Sequence, residues 1–145
     1  MASTISAGRA LTAARIDTDE VRRQLPHVEP YAVPIRPARP WFRATWAKGI
    51  AAVTMPWAIY VTDTVFARLA DETEAWRHGT LIVHELVHLE QYHRLGSARH
   101  VTQYLGDYLG GRRRGRSHWD AYRQVRLEVE AREIAARFAG GASAR

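Results

Sequence analysis

The sequence contains no cysteine, so the protein can form neither disulfides nor thiolate metal sites. Any bound transition metal must therefore be held by histidine, aspartate or glutamate side chains. Lysine is almost absent as well, because Lys48 is the only lysine among the 21 basic residues that give the chain its net charge of +6. This imbalance indicates a coding preference for arginine rather than a surface selected to bind phosphates.

Long uninterrupted apolar runs are also absent. The first 20 residues include Asp17, Asp19 and Glu20 and have no continuous apolar core, which argues against a signal peptide. No stretch is apolar enough over a sufficient length to span a bilayer. We therefore expect a soluble, cytoplasmic protein without a membrane partner.

With 145 residues, of which 46% are hydrophobic, the chain suits one compact domain. Five prolines between Pro26 and Pro40 exclude a regular helix there and favour an extended arm. The predicted organisation is an N-terminal segment with this arm (residues 1–40), the main domain (residues 41–139) and a short flexible tail (residues 140–145).

Residues 41–65 are rich in β-prone side chains and are interrupted by Met55-Pro56, which predicts one or two short strands. Cap-type residues and glycines then delimit a series of helices. The first predicted helix follows Asp71-Glu72-Thr73 and ends at Gly96. The second runs from Ser97 to Gly110-Gly111, and the third runs from Ser117 to Ala139. The expected fold is α+β and mostly helical, with a short β-hairpin or small sheet before the first long helix.

The first of these long helices contains His84, Glu85 and His88 in the spacing HExxH. Residues four apart lie one above the other on a helix, so both imidazoles can reach one metal ion. Glu85 lies about 100° around the axis from His84, where it can hold a water molecule without ligating the metal. The surrounding apolar residues would bury these polar groups, which is costly without a cation. We therefore predict one bound Zn²⁺.

A hydrolytic zinc site needs a third protein ligand. A histidine ten residues after His84 would complete one common pattern, but position 94 is arginine. Glu128 is the best candidate, because it lies at the centre of the apolar face of the last helix, where a lone carboxylate needs a cationic partner. One alternative is that Glu128 forms a buried ion pair with Arg132 and binds no metal. Another is that Asp107 or Asp120 supplies the third ligand.

Three stretches of the sequence resemble a known family: Ile59–Val61, His84–Tyr92, and Ala121–Arg123 followed by Leu127–Ala131. The chain resembles, over roughly residues 48–135, the small zinc metallopeptidases of the glutamate-type zincin class that are related to the core domain of extracellular contractile injection systems. The resemblance implies a minimal zincin-like fold and peptidase activity. It also implies Glu128 as the third ligand, because Glu128 and Ala131 match a Glu-x-x-Ala pattern of several glutamate-type zincins.

The resulting prediction is a zinc-dependent peptidase that acts on a peptide or protein substrate, with Glu85 as general base. By resemblance, Ile59, Tyr60 and Val61 would form an edge strand that pairs with the substrate. The residue that stabilises the oxyanion stays open among four candidates: Tyr104, Tyr122, His100 and His118.

Two other functions are weighed against this one. The metal could serve only to stabilise a non-catalytic binding or scaffold module. The arginines of residues 112–116 could contact nucleic acid, but they lie between glycines without a recognised reading motif, which favours a solvated loop.

Overall fold

A computed structural model describes residues 4–139 of the chain, so the predicted tail at residues 140–145 lies outside the described residues. The strands are β1 (Ile5–Ser6), β2 (Pro34–Pro37), β3 (Ala52–Met55) and β4 (Ala58–Val61). The helices are α1 (Ala7–Ala13), α2 (Thr18–Gln24), α3 (Pro40–Arg43), α4 (Asp63–Ala70), α5 (Gly79–Leu95), α6 (Ser97–Arg113), α7 (His118–Arg123) and α8 (Arg126–Ala139). This confirms an α+β fold that is mostly helical.

The four strands form one mixed sheet in the order β1-β2-β4-β3. Strands β3 and β4 are an antiparallel hairpin joined by Pro56-Trp57, which confirms the hairpin expected before the long helix. Strand β4 also pairs in parallel with β2, so both of its edges are used. The expectation that Ile59, Tyr60 and Val61 form a free edge strand is therefore wrong, and β3 is the free edge on that side of the sheet.

The N-terminal segment belongs to the same hydrophobic core as the rest of the described chain. Leu11 of α1 and Ile35 of β2 are fully buried and pack in one cluster with Ile59 of β4 and Leu86 of α5. Apolar residues on both sides of the predicted boundary at residue 40 thus contribute to one core. Pro34 and Pro37 lie in β2, which is extended as predicted for the arm and lies on the side of β4 away from β3. Pro30 instead begins a 3₁₀ turn, and Pro40 is the first residue of α3.

Helix α5 is the central element of the fold and carries the HExxH motif. It ends where Gly96 adopts a φ of 81°, as the glycine predicted, but it begins only at Gly79, after a 3₁₀ turn at Ala75–His78. It packs against α8 on one side and against β3 on another. These two contacts bring residues from before and after α5 in the sequence to the motif.

The helices that follow α5 differ from the prediction in two places. Helix α6 continues through Gly110 and Gly111 to Arg113. Gly111 lets α7 pack closely against this helix, because a Cβ there would lie 3.1 Å from the Ala121 side chain. The last predicted helix is broken at Gln124 into α7 and α8. Glu128 stays on the buried face of α8, so this break leaves the predicted site intact.

Candidate metal centre

The structure brings His84, His88 and Glu128 together at the contact between α5 and α8. His84 Nε2 lies 2.9 Å from Glu128 Oε2, and His88 Nε2 lies 3.1 Å from Glu128 Oε1. The two Nε2 atoms are 3.2 Å apart. These are the three ligands predicted from the sequence, and their donor atoms converge on one point.

The spacing of the three donors suits a tetrahedral metal ion. Zinc bonds of about 2.05 Å at tetrahedral angles place neighbouring donors about 3.3 Å apart, which is a few tenths of an ångström more than the separations in the structure. Two imidazole nitrogens and a carboxylate oxygen are also a common donor set for zinc. Within residues 4–139, no fourth histidine, aspartate or glutamate belongs to this group, so one coordination position is left for a small molecule.

The electrostatics of the group favour a cation. Glu128 is buried, which opposes its ionisation, but hydrogen bonds from His84 and His88 outweigh burial and hold the pKa of its carboxyl below the usual range. Burial likewise lowers the pKa of His88, but the Glu128 carboxylate overcomes this effect and raises it to about 9. Protons and a metal ion therefore compete for the same lone pairs, as in other histidine metal sites.

A buried glutamine that the sequence analysis missed holds His88 in place. The Nδ1–H of His88 donates to Gln91 Oε1 at 2.8 Å, and Gln91 Nε2 donates to the Leu127 carbonyl at 2.9 Å. If a metal ion replaces the proton on Nε2, this pairing would keep the Nε2 lone pair of His88 directed at the metal centre, as in metal sites whose histidines are oriented by a second hydrogen bond. Gln91 lies seven residues after His84, on the same helix face. This spacing is the feature of the sequence from which its place beside the site could have been predicted.

Two tyrosines surround the carboxylate of Glu128. The Tyr104 hydroxyl donates to Glu128 Oε1 at 2.9 Å. Burial and the Glu128 carboxylate raise the pKa of both Tyr104 and Tyr122. Both phenols therefore keep their protons at neutral pH and act as hydrogen-bond donors. Both tyrosines line the cleft beside His88 and Glu85, and Tyr122 also lines its part beside His84.

The predicted base, Glu85, lies beside the metal ligands and is linked to the sheet. Its Oε2 lies 2.7 Å from the Thr54 hydroxyl, which is also 3.0 Å from the Glu85 main-chain carbonyl. Both side chains are buried to about the same degree, and Glu85 lines the cleft on two sides. Thr54 of β3 therefore restrains the orientation of the Glu85 carboxylate.

A cleft opens over the metal centre and has two arms that share Ile50, Ala52, Glu85 and Tyr122. The arm beside His88 has a volume of about 360 Å³ and a largely apolar lining. The arm beside His84 is about 670 Å³ and is lined by several alanines. The site can thus be approached along an extended path that follows β3.

The free edge of β3 lies along this cleft. The Thr62 N–H donates to the Ala51 carbonyl, so in the alternating antiparallel pattern the main-chain groups of Ala52 and Thr54 point away from β4. The Thr54 carbonyl accepts a hydrogen bond of 3.4 Å from the Tyr92 hydroxyl. Ala52 therefore presents its N–H and C=O to the cleft, whereas two residues further along β3 the Thr54 carbonyl is occupied by Tyr92.

The other candidate residues have different partners. Asp107 accepts hydrogen bonds from the Arg126 main-chain N–H and guanidinium at the start of α8, so it caps that helix. Arg132 donates to the Arg123 carbonyl, which removes the ion pair considered for Glu128. Asp120 is exposed on α7. None of the three belongs to the group of donors formed by the predicted ligands.

The two histidine candidates for oxyanion stabilisation are placed differently. His118 accepts from or donates to the Tyr108 hydroxyl at 2.8 Å through Nδ1. His100 is buried against Tyr92 at 4.0 Å between ring centres, and neither of its ring nitrogens has a hydrogen-bond partner among the described residues. Burial lowers the pKa of His100 to about 4, so this imidazole is neutral at pH 7.

Comparisons of the chain with models of protein families, with curated protein sequences and with solved structures find no match. No helix of the described residues is long and apolar enough to cross a membrane. The class that fold and site define is an α+β protein with a candidate His-His-Glu metal centre in an open cleft.

Proposed function

We propose that this protein is a zinc-dependent peptidase of the glutamate type. The observation that carries the proposal is the convergence of His84, His88 and Glu128, three donors at near-tetrahedral spacing, with Glu85 beside them in an open cleft. Two imidazole nitrogens and one carboxylate oxygen suit zinc among the divalent ions, and the chain has no cysteine to supply a thiolate ligand.

His84, His88 and Glu128 would hold Zn²⁺, which when bound would supply a Lewis acid for the scissile carbonyl and would bring the pKa of a water molecule close to neutrality. Glu85 accepts the proton of the attacking water and delivers it to the leaving amine. Thr54 keeps the Glu85 carboxylate oriented towards the cleft. Tyr122, which retains its proton, donates a hydrogen bond to the oxygen that becomes negatively charged.

The proposed substrate is an extended polypeptide. Its main chain would pair with the exposed N–H and C=O of Ala52 at the edge of β3, in the manner of β-strand addition. Its side chains would enter the apolar arm of the cleft, which Ile50 and Leu105 line. The strand proposed to pair with the substrate is thus β3 rather than Ile59–Val61.

The test is the Glu85→Gln variant, assayed for zinc content by mass spectrometry and for cleavage of a quenched fluorescent peptide library. We expect one zinc ion per chain, as in the wild type, and a loss of cleavage of about 10²-fold or more. Glu133→Gln, an exposed change on α8, is the matched control and should behave like the wild type. A Glu85→Gln protein that cleaves peptides at the wild-type rate would contradict the proposal.

A second candidate function is a zinc-stabilised binding module without catalysis. It is favoured by the burial of His88 and Glu128 between α5 and α8, because a metal there would join the two helices and contribute to folding. In that case the wild type would contain zinc and would cleave no member of the library.

A further inference from the structure

The outer side of the sheet carries a connected group of aromatic side chains, which we call the aromatic patch. The Phe42 ring lies at its centre, with ring-centre distances of 5.3 Å to Tyr60, 5.5 Å to Trp46 and 5.7 Å to Trp41. Trp57 joins the patch through a hydrogen bond of 2.9 Å from its indole N–H to the Tyr60 hydroxyl. The patch thus comprises Trp41, Phe42, Trp46, Trp57 and Tyr60.

Two tryptophans of the patch are the most exposed large apolar side chains of the described residues. Trp41 is 70% exposed and Trp57 is 61% exposed. The polar tip of Trp57 is used by Tyr60, so this ring offers mainly hydrocarbon to its surroundings. Contiguous exposed apolar surface of this kind marks a site of interaction.

The segment that forms the patch lacks negative charge. Residues 30–62 contain no aspartate or glutamate, although they contain three arginines and the only lysine. Arg43 is paired with Asp63 at 3.1 Å, but Arg36 and Arg39 are exposed and take part in no ion pair within residues 4–139. Arg36 is aligned with Tyr60 in the β2–β4 pairing and therefore shares its face of the sheet. The unpaired positive charges of Arg36 and Arg39 beside the aromatic patch favour an anionic partner.

The aromatic patch reaches the rim of the cleft. Trp46 belongs to the patch and also lines the cleft arm beside His88. That arm is also lined by Val101 and Leu105 of α6, which are 47% and 51% exposed. The lining of this arm therefore includes exposed apolar side chains, and a partner that covers the patch lies next to the cleft.

We propose that the aromatic patch docks the protein on the surface of an anionic lipid bilayer. Trp41 and Trp57 would lie at the level of the headgroups, the depth that indole rings prefer, while Arg36 and Arg39 contact lipid phosphates. A single strand of nucleic acid fits less well, because it needs a track of cations along successive phosphates and the patch has only two unpaired arginines. The proposal does not depend on peptidase activity, and it replaces the expectation of no membrane partner.

The test is co-sedimentation of the full chain with vesicles of phosphatidylcholine, with and without phosphatidylglycerol. We expect binding to the anionic vesicles only, and weaker binding as the salt concentration rises. The double variant Trp41→Ser/Trp57→Ser should reduce the partition coefficient by about tenfold or more. The double variant Arg36→Gln/Arg39→Gln should reduce it roughly fivefold for each arginine removed.

Trp76→Ser is the matched control, because Trp76 is 55% exposed but lies outside the patch, where it contacts Arg77. This variant should bind vesicles like the wild type. Failure of the wild type to bind anionic vesicles would overturn the proposal, and so would undiminished binding by the folded Trp41→Ser/Trp57→Ser protein. Tighter binding to a single-stranded DNA oligonucleotide, or self-association abolished by the same variants, would assign the patch to those partners instead.

Discussion

Replacing Gln91 by leucine keeps the size of a fully buried side chain but removes both of its hydrogen bonds. The Nδ1–H of His88 would then be buried without a partner, whereas the Leu127 carbonyl, near the start of α8, keeps the intrahelical partner of a helix residue. A buried group without a partner costs about 1–3 kcal/mol, so the free energy of unfolding of the metal-free protein should fall by about that amount. This is an appreciable part of the roughly 5–15 kcal/mol that stabilises a typical domain.

The same variant should also weaken zinc binding. Without Gln91 Oε1 the His88 ring is free to change its tautomer and orientation, and removal of such an outer partner lowers metal affinity about 10–100-fold. Gln91→Glu separates the two effects, because it keeps an acceptor for His88 Nδ1–H but places a carboxylate oxygen against the Leu127 carbonyl. We expect that variant to lose stability while it keeps its zinc affinity.

Stability would be measured by denaturant unfolding of the metal-free proteins, and zinc affinity by competition with a chromogenic chelator. Gln124→Leu provides the control, since Gln124 is exposed and lies between α7 and α8. If Gln91→Leu unfolds at the wild-type denaturant concentration and binds zinc as tightly as the wild type, the role assigned to Gln91 is wrong.

Three further predictions test the site and the fold. Tyr122→Phe should lower kcat by about 10²–10³-fold with zinc content unchanged, and an unaltered kcat would exclude Tyr122 as oxyanion donor. Removal of zinc by a chelator should lower Tm by about 8–16 °C if zinc was present at about 1,000 times its Kd, whereas Glu128→Ala should show no such shift. Ile59→Ala, in the interior strand, should cost about 2–5 kcal/mol of stability and more than Val53→Ala at the edge; equal losses would contradict the strand order.

Local patterns in the sequence were sufficient for the candidate ligands. The spacing of His84 and His88 is set by the helical repeat, and Glu128 stood out because a charged residue on an apolar helix face needs a partner wherever the helix packs. The hairpin and the end of α5 at Gly96 followed from turn chemistry in the same way. These features depend on residues only a few positions apart.

The sequence alone determined that the chain carries a His-Glu-His helix, a second helix with one buried carboxylate, and a short hairpin. Only the tertiary structure decided that β2 pairs with β4, so that β3 rather than Ile59–Val61 borders the cleft. It also decided that Gln91 and Thr54 orient His88 and Glu85. The physical reason is that strand partners and buried hydrogen bonds join residues distant in sequence, and local periodicity carries no information about which distant residues meet.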